Sequence, residues 1–116
     1  MHRFFKSFYY AMKGILHGFA SERNLKFHLA AAVLTIVLGF LSGLSQMEWL
    51  IIIMLIGGMI ALELMNTAVE RAVDLVTDEF HLLAKQAKDL AAGAVLIFAI
   101  ASAMIGLIIF IPKWFL

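Results

Sequence analysis

Apolar residues run through this chain in three long stretches separated by short polar clusters. Leu29 to Leu44 carries no charged side chain, with Phe27 before it and Ser45-Gln46 after it. That stretch approaches the ~20 residues needed to cross ~30 Å of hydrocarbon as a helix. Trp49 to Leu62 is again uncharged and continues as an amphipathic pattern from Glu63 to Val76. One long helix is expected there, whose lower part leaves the lipid or faces protein. Leu90 to Ile111 is the cleanest apolar run, and Pro112, flanked by Lys113 and Trp114, is expected to end it at the interface. The pattern predicts membrane spans over residues 28–44, 48–76 and 88–111. Ahead of the first, Phe4, Phe5, Phe8, Met12, Ile15, Leu16 and Phe19 recur at helical spacing with Lys6, Lys13 and His17 between them. This predicts an amphipathic helix over 3–19 lying in the headgroup plane. The alternative is a soluble amphipathic helix packed on the polar loop.

Composition sharpens the picture. The chain has 116 residues, 64% of them hydrophobic, against roughly 45–50% apolar content in soluble domains. A single all-α membrane domain over 1–116 is expected. The formal net charge is +1, so no basic field argues for nucleic acid and no acidic tail for disorder. With no cysteine, disulfides, thiolate metal sites and cysteine nucleophiles are excluded. The stretch Met1 to Lys13 lacks an uninterrupted apolar core before a small-residue cleavage site, so the spans should be permanent. Arg3, Lys6, Lys13, Arg23 and Lys26 precede the first span, and Arg71, Lys85 and Lys88 fall between the second and third. Those sides should be cytoplasmic, whereas Ser45 to Glu48 and the C-terminus, with Lys113 alone, should lie outside.

The chemistry is concentrated on the second span. Glu63, Asn66, Glu70 and Asp74 follow one another at offsets of three, four and four, which at about 100° per residue makes one narrow stripe. Ionisable groups at membrane depth are expensive and generally face a bundle interior, a partner protomer or a water-filled site. The competing interpretation is a solvated face of an emerging helix, reasonable for Asp74 and poor for Glu63, which directly follows the apolar run. Carboxylates grouped without cysteine suit a hard cation such as Mg²⁺, completed by substrate phosphates and water. Lys85 and Lys88, with Asp89, stand at the mouth of the third span, where they could hold nucleotide phosphates or serve only as topology charges. Glu22, Arg23, Asn24, Lys26 and His28 form a second polar cluster. Glu22 could complete a metal site, while His17 and His28 are read as interfacial histidines and assigned to no metal. No phosphate-binding glycine loop or kinase catalytic-loop motif occurs. Gly39 with Gly43, Gly57 with Gly58, and Gly93 offer small surfaces for helix contact. Three spans with a polar stripe make a thin bundle, so homo-oligomerisation is expected to bury the stripe. A cation conduit is disfavoured, because Trp49 to Ala61 leaves the outer half of the second span apolar.

The run Glu63-Leu-Met-Asn66-Thr67-Ala68-Val-Glu70-Arg-Ala-Val-Asp74, followed by Glu79-Phe80-His81 and Ala87-Lys88-Asp89, resembles the signature of the small prokaryotic integral membrane diacylglycerol kinases. The resemblance covers nearly the whole chain, since Arg3, Lys6 and Tyr10 ahead of the spans and Glu22 before the first also match. It implies a homotrimer in a bacterial cell membrane, with composite sites that take MgATP from the cytoplasm and a lipid hydroxyl from the bilayer. It further implies Glu63 as catalytic base with Asn66 as its polar neighbour, and Glu22 and Glu70 as metal ligands that also meet ATP. Asp74, Glu79, His81, Lys88 and Asp89 match the family's nucleotide-binding region, and Arg3 and Tyr10 match its surface-helix contacts. The segment from Glu22 to His28 is similar to the branch from Gram-positive bacteria that phosphorylates undecaprenol. The expected reaction is therefore ATP-dependent phosphorylation of undecaprenol. Diacylglycerol as acceptor is the alternative, and a non-catalytic membrane assembly subunit is the reading from another class.

Overall fold

The computed structural model describes all 116 residues as four helices and no strand. These are α1 (His2–Ser21), α2 (Arg23–Ser42), α3 (Gln46–Val76) and α4 (Leu82–Phe115). The last three are long and apolar enough to cross a membrane, and the chain is a multi-pass membrane protein. The 31 residues of α3 and 34 of α4 rise about 46 and 51 Å, well beyond ~30 Å of hydrocarbon. Their surplus length carries the polar residues from Glu63 onward and those up to Asp89.

A single extended residue, Glu22, separates α1 from α2, and its N–H closes α1 on the Gly18 carbonyl. Gly18 is itself buried: a Cβ there would sit 2.7 Å from a Leu64 methyl and 3.0 Å from a Leu25 methyl. Leu25 is wholly buried, so this corner seats α1 against both α2 and α3. The outward side of α1 exposes Phe4, Phe5, Phe8, Tyr9 and Tyr10, as a helix lying along an interface would.

At the opposite end, Gly43 adopts left-handed geometry (φ 67°) and terminates α2. It is thus a turn residue, and only Gly39 of that pair packs, with the Trp49 ring 2.6 Å from where a Cβ would lie. A capping box starts α3: Ser45 Oγ accepts from the Glu48 N–H, and Glu48 Oε1 accepts from the Ser45 N–H. Glu48 also pairs with Lys113 at 3.0 Å, and the Trp114 indole donates to Ser42 Oγ at 2.7 Å. These two ties correct one expectation. Pro112 does not end the last helix, which continues to Phe115. Proline forfeits one backbone bond, and the anchored side chains of Lys113 and Trp114 hold the final turn in place.

Only nine of 116 residues are buried within the chain. Large apolar side chains stand exposed along all three spans, among them Phe40, Met54 and Ile97.

Candidate active site

Glu63 is the deepest charged residue, 4% exposed on α3. Its Oε1 lies 3.2 Å from Nε2 of His28 on α2. A buried carboxylate without partners is costly, and the histidine relieves that cost. One turn along the stripe, Asn66 Oδ1 is buried and has no hydrogen-bond partner in the protomer. An unsatisfied buried acceptor costs about 1–3 kcal/mol, so this oxygen is open to a donor from outside the chain. His28 also lines an apolar groove of about 350 Å³ between α2, α3 and α4, bounded by Phe27, Thr35, Ile52, Met59 and Ser102 among others.

Farther along α3, Arg71 draws the end of α1 onto the stripe. Its guanidinium donates to Ser21 Oγ at 3.0 Å and to Glu22 Oε1 at 2.9 Å, and its Nη1 contacts His17 Nε2. Glu22 is held through one oxygen only. Glu70 precedes Arg71 in the chain and is engaged in no ion pair or hydrogen bond. No three or more His, Cys, Asp or Glu side chains converge into an all-protein cation cage. Glu22, in the link between α1 and α2, and Glu70, on α3, are the carboxylates whose chemistry would suit a Mg²⁺ ion that takes its remaining ligands from phosphate and water oxygens.

The α3–α4 loop completes the site. Asp74, Glu79, His81, Lys88 and Asp89 line one concavity of about 350 Å³ together with Lys85. Lys88 donates to Asp74 and Lys85 to Asp89, each at 2.6 Å. His81 starts α4 by accepting the Leu83 N–H at Nδ1, and Glu79 is fixed by a turn through Thr77 Oγ1. The concavity therefore holds paired charges at a helix N-terminus, where a phosphate would compete with Asp74 and Asp89 for the ammonium groups.

The structure brings most candidate residues to one end of the bundle but leaves two apart. Arg3 and Tyr10 lie on the exposed outer half of α1 and bond to neither cluster; the Tyr10 ring stacks on Tyr9 instead. Two residues absent from the candidates stand out, Arg71 and His28. Arg71 breaks the apolar spacing of α3 beside Glu70, a visible signal. His28 carried none, because its partner is 35 positions away.

The prokaryotic diacylglycerol kinase family matches residues 9–110. An undecaprenol kinase of Bacillus subtilis (strain 168) is 58% identical over 97% of this chain and 92% of its own length. A diacylglycerol kinase of Synechocystis is 40% identical over 91% of this chain and 61% of its own. One of Helicobacter pylori (strain J99) is 36% identical over 82% and 74%. Likeness of this extent takes in α2, α3, the charged loop and most of α4 rather than a single motif, and on it the chain belongs to the prokaryotic diacylglycerol kinase family.

Proposed function

We propose that this lipid kinase transfers the γ-phosphoryl group of ATP to the hydroxyl of undecaprenol, yielding undecaprenyl phosphate. One observation carries the reading: Glu63 is buried where the polar stripe of α3 meets the groove that His28 lines. A lipid alcohol needs that junction, because its tail is apolar and its hydroxyl must reach a base and a phosphate. The choice of undecaprenol over diacylglycerol is supported by the name of the Bacillus relative, with which this chain shares more residues than with the diacylglycerol kinases above.

In this reading the lipid oxygen attacks the γ-phosphorus, its proton passes to Glu63, and the bond to the β-phosphate oxygen breaks as ADP leaves. Asn66, one turn along from Glu63, serves as its polar neighbour, its amide N–H donating to a phosphate oxygen of the nucleotide. Glu22 and Glu70 would hold Mg²⁺, which when bound offsets phosphate charge. Lys85 and Lys88 exchange their carboxylate partners for phosphate oxygens, and Asp74, Glu79, His81 and Asp89 shape the nucleotide's seat. Arg3 and Tyr10 contact the nucleotide only if α1 shifts or a neighbouring protomer supplies them. The site opens to the cytoplasm of a bacterial cell, with the N-terminus inside and the C-terminus outside, and the working unit is a homotrimer.

The test offers undecaprenol and a short-chain diacylglycerol side by side to purified, detergent-solubilised protein, with Mg²⁺ and with chelator. Faster transfer to undecaprenol, lost with chelator, is expected. Preference for diacylglycerol would overturn the substrate, and transfer to neither would overturn the catalytic assignment in favour of a non-catalytic assembly role.

A further inference from the structure

Among the carboxylates of the α3 stripe, Glu63 alone is itself buried, and its partner on another helix is the half-buried His28. His28 sits in the second turn of α2, its side chain 18% exposed and that of Glu63 5% exposed, with Nε2 at 3.2 Å from Oε1. The neighbouring Phe27 ring meets the imidazole edge-on at 5.6 Å, which limits its rotation. The same imidazole forms part of the groove wall beside Met59 and Ile60, so it borders both the groove and the carboxylate.

A carboxylate has two oxygens and a terminal torsion with broad minima, so an unrestrained Glu63 spreads over many orientations. A single hydrogen bond to one oxygen removes that freedom and leaves the other free. We propose that His28 is a positioning residue for the phosphoryl transfer: its Nε2–H donates to Glu63 Oε1 and keeps Oε2 aimed at the lipid hydroxyl. The inference rests on Glu63 being the base. The proton of the hydroxyl goes to Oε2, the imidazole keeps its own proton, and the bond to Oε1 persists through the step. His28 acts through Glu63 and touches no reacting atom.

Alignment losses of this kind reduce turnover by about 10²-fold. Steady-state rates on undecaprenol are measured for His28→Ala, His28→Asn and His28→Gln beside Glu63→Gln, varying MgATP and lipid separately and checking MgATP binding by calorimetry. His28→Gln places an amide N–H near the position of Nε2 and should restore most of kcat, whereas His28→Ala should lose about 10²-fold with KM for MgATP unchanged. His28→Asn, polar but too short to reach Oε1, should be as slow as alanine and serves if the alanine variant fails to fold. Equal rates for His28→Asn and His28→Gln, or a defect confined to the lipid KM, would overturn the inference and leave His28 a groove residue. Full-speed His28→Ala with an inert Glu63→Gln removes this inference only; near-normal turnover by Glu63→Gln removes the base and this inference with it.

Discussion

Within the stripe, neighbouring carboxylates differ in what surrounds them, and in the proposed reaction that difference suits them to different tasks. Glu63 is enclosed and within hydrogen-bond distance of the His28 imidazole, an arrangement that suits the base of the proposed reaction. Glu70 lies two turns on, about 10 Å along the axis, unpaired and beside the Arg71-held end of α1, suited to a cation and its phosphates. Glu63→Gln keeps shape and hydrogen bonding but cannot take a proton, so turnover should fall about 10²–10⁴-fold while calorimetric MgATP binding stays as in the parent. Glu70→Gln should show the converse, with MgATP bound at least about tenfold more weakly, since loss of even a supporting group at a metal site costs that much. If Glu63→Gln instead weakened MgATP and spared turnover, the two roles would have to be exchanged.

Helices α3 and α4 are registered by the contact of Gly58 with the Phe98 ring. A Cβ at Gly58 would lie 2.6 Å from the ring tip and 3.1 Å from the next carbon, too close to be absorbed without moving an aromatic side chain. Gly58→Ala should therefore destabilise the bundle by about 1–3 kcal/mol, read as a lower midpoint of thermal unfolding in detergent. Arg71 presents the opposite case. Its pair with Glu22 is partly exposed, and such pairs contribute only about 0–1 kcal/mol. Arg71→Ala should leave the unfolding midpoint almost unchanged yet raise KM for MgATP, because Glu22 loses the contact that orients it. A large drop in the midpoint with unchanged KM would make Arg71 a structural clamp alone.

For the molecule as a whole, one protomer encloses too little. Only nine residues are buried, and Asn66 Oδ1 and Ser102 Oγ are buried without a partner in the chain. Assembly into three copies would supply such partners, and native mass spectrometry from detergent should show a trimer as the main species. A monomer that retained full turnover would refute the composite arrangement.

The three spans, the amphipathic first helix and the polar stripe were legible from residue order, because lipid demands long uninterrupted apolar runs and a helix turns offsets of three and four into a face. Their offsets alone place Glu63, Asn66, Glu70 and Asp74 on one side of α3. The tertiary structure decided what meets that face. It brought His28 to Glu63 and Arg71 to His17, Ser21 and Glu22, wrapped Asp74, Glu79, His81, Lys85, Lys88 and Asp89 around one concavity, and carried α4 past Pro112. Periodicity describes a helix relative to its own axis alone. The rotation and offset of one helix against another follow from packing at Gly18, Gly39 and Gly58, whose partners are remote in sequence.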